Sequence, residues 1–405
     1  MSNYGSVTSH NLLISLCLFF PASLMAASEV HLQELPSPAI ENSKLSRLTS
    51  DEQGNLYLSW VTESGDSASL FYSQLTERGW SDPQAISSGS NWFVNWADFP
   101  ALSVNEGNKA ALWLRMSAEG TYDYDIDSRF YAAASNEWSN TATLHKDGVS
   151  AEHGFVAMLP LSGGSTLISW LDGRNTKVAN GYGEMTLRAG IFNSRGATVQ
   201  EWEVDARVCD CCQTSAALTE KGPIIVYRDR SSEEIRDIYS ARYDSGAWTT
   251  PKPVYSDNWQ IAGCPVNGPA VVADGSFVAV SWFTAKDDLA KVQLAVSDDS
   301  GDKFSEPVLV AAEGTIGRVD TAILKSGGIV VSWLDTSEEH AKIMLSHYDR
   351  DLQLLDRTEV ATTSASRRSG FPIIEAIADS VYITWTDITD TPSVKIARAD
   401  YSMER

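Results

Sequence analysis

Val278-Ala-Val-Ser-Trp282 is the stretch that decides the fold, because the chain repeats it. Related stretches are Leu56-Tyr-Leu-Ser-Trp60, Ala110-Ala-Leu-Trp113, Leu167-Ile-Ser-Trp170 and Ile224-Ile-Val-Tyr227. Ile329-Val-Val-Ser-Trp333 and Val381-Tyr-Ile-Thr-Trp385 complete the set. The aromatic anchors are spaced by 53, 57, 57, 55, 51 and 52 residues. Seven copies at that period, each an apolar run followed by an acidic or Gly-rich loop and an alternating run, read as propeller blades.

Each unit divides into four strands. In the fifth they fall near Pro269–Ala273, Phe277–Phe283, Lys291–Ser297 and Pro307–Ala311, with alternation that buries one face. Asp274-Gly275 and Gly327-Gly328 mark tight turns between the first two strands of their units. The seventh unit stops after its third strand, Val394–Ala399, and Val30–Leu35 can supply the fourth. That closure removes exposed sheet edges. The expectation is an all-β, seven-bladed β-propeller closed by an N-terminal strand, a single domain over residues 28–405. A six-bladed form is the runner-up. The anchor tryptophans are expected to pack between blades.

Residues 1–27 read as a secretory signal: an apolar run Leu12–Phe20, then small residues Ala22, Ser23, Ala26 and Ala27. The expected location is periplasmic or secreted, with no membrane span in the mature chain. The 405 residues carry 31 Lys+Arg against 53 Asp+Glu, a formal charge of −22. Such acidity argues against nucleic acid and anionic membrane as partners. A small molecule, a glycan or a metal ion is the expected partner, and the chain is expected to be a monomer.

Ser297-Asp-Asp299-Ser-Gly301-Asp-Lys-Phe304 resembles an Asp-box, Ser-x-Asp-x-Gly-x-x-Trp/Phe. Asp299 would accept backbone N–H groups, Gly301 would supply a positive φ, and Phe304 would pack beneath. Weaker relics are Tyr243-Asp244-Ser-Gly246-Ala-Trp248 and Thr76-Glu-Arg-Gly79-Trp80. On these residues the chain resembles the sialidase-like, BNR-repeat superfamily. Asn95-Trp-Ala-Asp98-Phe-Pro, Val208-Cys-Asp-Cys-Cys-Gln213 and Tyr227-Arg-Asp-Arg230 also resemble exported bacterial proteins labelled exo-sialidase by similarity. The resemblance implies an exo-acting glycoside hydrolase with three arginines on a sugar carboxylate, a Tyr/Glu nucleophile pair and an Asp acid. The family's early Arg-Ile-Pro motif is absent, and its members have six blades.

Residues just before each innermost strand should surround the axis on one face. They are Trp96 and Asp98 in blade two and Glu152-His153 in blade three. Blade four supplies Cys209, Cys211 and Cys212, and blade five Cys264 and Asn267. Arg318 and Asp320 come from blade six and Arg368 from blade seven. Loops between second and third strands add Asp172, Arg174, Arg228, Asp229 and Arg230. Cys209, Cys211, Cys212, Cys264 and His153 form the candidate metal set, for Cu(I) or Zn(II), because thiolates select soft ions. Disulfide bonding is the first alternative in an oxidising compartment, and redox-active thiol the second. Asp98, Arg228, Arg230 and Arg318 are the catalytic candidates, with Asp98 as acid or as a turn cap. Trp96, Asp172, Arg174, Asp229, Asn267, Asp320 and Arg368 are the ligand-binding candidates. Tyr122–Asp127 reads as an acidic loop, solvated or calcium-binding. The expected function is ligand binding at this central face through the Cys/His cluster beside an arginine-rich anion site. Glycoside hydrolysis and a protein-interaction scaffold are the alternatives.

Overall fold

Each anchor aromatic lies in the second strand of an antiparallel sheet and faces the sheet before it. Trp60 packs on Val394 and Ile396, and Trp113 on Tyr57, Val61 and Leu70. Trp170 packs with Leu112 and Ile126, Tyr227 with Leu167 and Leu187, and Trp282 with Ile224 and Val226. Trp333 joins Ala279 and Leu294, and Trp385 joins Val330 and Ile343. The repeat therefore writes one aromatic into every blade interface. A buried aromatic ring is worth about 3–5 kcal/mol against alanine. The same residue type at the same register thus staples the whole ring.

The computed structural model describes residues 1–3, 5, 30–178, 181–337 and 340–402. Seven sheets follow one another in the chain, forming a seven-bladed β-propeller. Their innermost strands are Ser43–Ser50, Ala101–Asn105, His153–Leu161, Ser215–Thr219, Ala270–Asp274, Thr315–Ile323 and Ile373–Ile377. The fifth blade runs Ala270–Asp274, Phe277–Thr284, Lys291–Ser297 and Val308–Ala312, within a residue or so of the sequence reading. His31–Leu35 pairs antiparallel with Ser393–Asp400, Leu32 opposite Ala399, and completes the seventh blade. Among the described residues no helix is long and apolar enough to cross a membrane. The leader Leu12–Phe20 and its cleavage site lie outside the described residues.

The acidic run Tyr122–Asp127 is not a loop. From Tyr124 onward it is strand, Tyr124–Ala132, because alternation buries Tyr124 and Ile126. Asp127 turns to Arg115, whose Nε lies 2.8 Å away.

Three innermost strands carry a bulge near their start. The register slips between Lys44 and Arg47, between Gly154 and Ala157, and between Gly317 and Asp320. At each slip a non-glycine residue takes a left-handed φ: Leu45 at 55°, Phe155 at 53° and Arg318 at 56°. A bulge bends its strand and re-aims side chains, and such backbone costs on the order of 1 kcal/mol or more. These bends sit where the strands enter the central face.

Candidate functional site

The strand starts enclose a cavity on the axis, lined by Arg47, Asp98, Phe155, Gln213, Gly268, Asp320 and Phe371 among others. Asp98 is 2% exposed. Burial raises its carboxyl to about 7, against hydrogen bonds from the Tyr124 hydroxyl and the Phe155 amide. Asp320 rises to about 6 for the same reason, restrained by the amides of Ile374 and Thr321. Burial lowers Arg47, while the charges of Asp320 and Asp98 support its cation. Asp98 does not cap its own turn; Asn95 does, with Oδ1 accepting the Ala97 amide at 2.8 Å.

Tyr124 joins Asp98 to Glu152. Its one hydroxyl proton lies between Asp98 Oδ2 at 2.7 Å and Glu152 Oε1 at 3.1 Å. Burial, then the charge of Asp98, raises Glu152 to about 8, with Asp210 and Cys209 adding to the push. The trio can hold and pass a proton near neutrality, as general acid–base work requires. The folded chain keeps protons that an unfolded one loses above about pH 4–5. Stability from these groups is therefore greatest at acid pH and declines as pH rises through 7–8. Glu152→Gln keeps the oxygen that accepts from Tyr124 and removes the titration. The fall in thermal midpoint between pH 5 and pH 8.5 is expected to be smaller in Glu152→Gln than in the parent, measured by scanning calorimetry in matched salt.

Among the described residues the cysteines divide into two pairs. Cys211 and Cys264 form a disulfide across blades four and five. Cys264 is exposed and Cys211 half-buried. Beneath them Cys209 and Cys212 are free and buried, with sulfurs 3.4 Å apart. The sulfurs of Cys209, Cys211 and Cys212 lie within 4.8 Å of one another. Cys209 also accepts from Arg236 Nη1 at 3.1 Å. Burial alone would raise the Cys209 thiol. The hydrogen bond from Cys212 and the charge of Arg236 outweigh it, and the thiol falls to about 6. Burial and the neighbouring Cys209 push Cys212 the other way, well above its ordinary value. One sulfur is thus held as thiolate and its neighbour as thiol.

The five-residue metal set does not assemble. The disulfide removes two thiols, and Arg236 already supplies the positive charge beside Cys209. His153 faces away toward Asp147, Asp172, Asp125 and His145.

The arginine clamp does not assemble either. Arg228 is 1% exposed, and its guanidinium donates to the carbonyls of Asn267, Arg236 and Phe283. Arg230 is held by Glu234 at 2.8 Å and Asp210 at 3.3 Å. Arg174 grips Asp172 through two 2.7 Å bonds. Arg318 donates to Ser369 Oγ and the Gly370 carbonyl and lies over Trp96, 5.0 Å from the ring centre. Burial, with Arg367 nearby, lowers it to about 10. Asn267 is a strut: its Oδ1 accepts the Arg318 amide at 2.7 Å and its carbonyl accepts Arg228. Burial, then Asp205, raises Asp229 to about 7. Trp96 and Arg368 border a separate groove with Lys44 and Glu63.

Asp98 and Asp320 therefore meet at the axis, the cysteines meet between blades four and five, and His153 with Asp172 forms a third group. Sequence reasoning did not single out Arg47, Tyr124, His145 or Asp147. Arg47 was within reach, since blade one obeys the same rule of position as the other six. Tyr124 was hidden by reading its strand as a loop.

No family model matches the chain, and no curated protein matches it. Solved structures do. The phage phi92 endosialidase is similar at a TM-score of 0.50 with 9% identity, over 93% of this chain and 70% of that one. A puromycin-hydrolysing peptidase of Mycobacterium tuberculosis scores 0.50 with 10% identity, over 87% of this chain and 53% of that one. A mutant NanB sialidase of Streptococcus pneumoniae scores 0.46 with 10% identity, over 89% of this chain and 68% of that one. The first two share a fold and differ in chemistry, so the fold selects neither. Seven closed blades and this likeness give the architecture: the chain is a seven-bladed β-propeller whose fold is similar to that of the phage endosialidase.

Proposed function

We propose that the central face of this propeller is a thiol–disulfide exchange site, with Cys209 as the attacking thiolate and Cys211–Cys264 as the disulfide it serves. The observation that carries this reading is the Cys209 sulfur. It is held as thiolate by Cys212 and Arg236, within 4.8 Å of a half-buried disulfide sulfur. A thiolate is the nucleophile of exchange, and a site with a resolving thiol beside it is the arrangement exchange needs.

The steps balance. Cys209 Sγ attacks Cys211 Sγ; the Cys209–Cys211 bond forms, the Cys211–Cys264 bond breaks, and Cys264 leaves as thiolate toward solvent. Cys212 then attacks Cys209, its proton passing to the departing Cys211 sulfur. The disulfide has moved inward to Cys209–Cys212, and the outer pair is left as a dithiol. No net electrons are consumed. That outer dithiol can reduce a disulfide-bearing substrate, and a dithiol reductant returns the two electrons. An exported location, as the leader suggests, would place the site in an oxidising compartment.

Glycoside hydrolysis of the sialidase type has less support. Asp98 has the raised carboxyl an acid needs, but Arg228, Arg230 and Arg318 are committed to protein oxygens.

The test equilibrates the full chain in glutathione redox buffers, quenches in acid, blocks free thiols and maps disulfides by mass spectrometry. Chains with Cys209 in a disulfide are expected. Cys209→Ser should reduce dithiol-coupled turnover of a disulfide peptide to background. A map showing only Cys211–Cys264 at every poise where the protein stays folded makes it a structural disulfide and ends the proposal.

A further inference from the structure

A second cluster lies between blades two and three, independent of the cysteines. His153 opens the innermost strand of blade three, and Asp172 is its cross-strand partner. Asp147 comes from the connection before that strand, and Asp125 and His145 from blade two and the segment after it. His153 is fully buried, and its ring stacks on His145 with centroids 3.8 Å apart.

The two nitrogens of His153 have different surroundings. Nδ1 lies 3.2 Å from the Ala151 carbonyl and 3.3 Å from the Tyr124 carbonyl, so the ring proton belongs there. Nε2 is buried and has no hydrogen-bond partner. It points at two carboxylates, Asp147 Oδ2 at 3.5 Å and Asp172 Oδ1 at 3.5 Å. A lone pair facing two anionic oxygens in a buried site is unfavourable, so either a second ring proton or a shared cation lies between them. The separation is wide for a hydrogen bond. It suits a shared ion: zinc bonds of about 2.0–2.2 Å in a tetrahedron place ligand atoms roughly 3.4 Å apart.

The outer shell matches. Metal-bound histidines hold the other ring nitrogen against a carbonyl or carboxylate, and bound carboxylates are themselves hydrogen-bonded. Here Nδ1 is held by carbonyls, and His145 Nδ1 lies 2.5 Å from Asp147 Oδ2. Trp170 Nε1 donates to Asp172 Oδ2 at 2.7 Å. Arg174 is the competitor, gripping Asp172 and standing 3.5 Å from Asp147. Glu201 lies 3.7 Å from the same guanidinium and offers it another acceptor. A surface cleft lined by Arg115, Asp125, Thr143 and His145 reaches the outer edge of the cluster.

We infer that His153 Nε2, Asp147 Oδ2 and Asp172 Oδ1 form a binding site for one divalent ion of the zinc type. The ion neutralises the buried carboxylates and ties blade three to the segment leaving blade two.

The test uses the full chain carrying Cys17→Ser, Cys209→Ser and Cys212→Ser, with the Cys211–Cys264 disulfide intact, so that no free thiol binds zinc. The protein is stripped with chelator and dialysed against micromolar free zinc. One zinc per chain and a raised thermal midpoint are expected. His153→Gln and Asp147→Asn should each weaken zinc binding at least 100-fold and abolish the thermal rise. Circular dichroism of the stripped variants checks folding. Asp147→Asn decides the matter if His153→Gln does not fold. Zinc content below one tenth per chain in the parent overturns the inference. So does equal zinc retention by a folded Asp147→Asn chain. Neither result bears on exchange at Cys209, which this chain lacks.

Discussion

An Arg228→Met chain should lose about 3–5 kcal/mol of stability, read as a lower urea midpoint at unchanged slope. The guanidinium sits over Trp259, 4.9 Å from the ring centre. Its four hydrogen bonds, between 2.6 and 3.0 Å, satisfy carbonyls of Asn267, Arg236 and Phe283. Methionine fills much of the volume but donates nothing. Three carbonyls on two blades then lose their donor, at about 1–3 kcal/mol each, offset by relief from burying a charge. Lysine is not expected to rescue, because one ammonium cannot reach the same fork of acceptors. The damage should reach the cysteines. The Cys209 amide donates to the Arg228 carbonyl at 3.0 Å, and the Arg236 carbonyl is one of the orphaned groups. A stability within about 1 kcal/mol of the parent would show that this arginine holds nothing together.

Arg228 also shows what a sequence reading delivers. Its position on the central face followed from the repeat, since strand order and blade period leave little freedom once the aromatic anchors are counted. The same holds for Asp98, Asp320 and the four cysteines. Their roles did not follow. Which acceptors an arginine meets depends on how neighbouring blades pack, and Arg228 and Arg230, two residues apart, end on carbonyls and on carboxylates respectively. His153 shows the same gap. It precedes the cysteine blade in sequence, yet the bulge between Gly154 and Ala157 re-aims this strand. The imidazole instead lies against Asp147, which no periodicity marks. Pairing of Cys211 with Cys264 was one open choice among several, because four sulfurs near one axis permit more than one connection.

Arg236→Met should change Cys209 most. A thiol at about 6 is roughly 90% thiolate at pH 7. Without the Arg236 charge, burial regains ground and the group rises from about 6 toward its ordinary 9, held back by the Cys212 hydrogen bond. The thiolate absorbance step near 240 nm should therefore move to higher pH. A full return to 9 sets the upper bound, about 1% thiolate and a roughly 90-fold loss. Nucleophilicity rises with basicity by about 0.4–0.5 log units per pKa unit, which returns roughly 15- to 30-fold of that bound. The net slowing at pH 7 is at most about three- to sixfold, together with a rate that climbs with pH where the parent is flat. The reduced form loses at most about 1.4 kcal/mol of thiolate stabilisation at pH 7, so the potential should fall by at most about 30 mV. Folding is not at issue to the same degree as at Arg228. Arg236 Nε already lacks a partner, and Glu234 keeps Arg230. Should the absorbance step stay near pH 6, the thiolate owes its stability to Cys212 alone. Arg236 would then be a scaffold residue rather than the counter-charge of an exchange site.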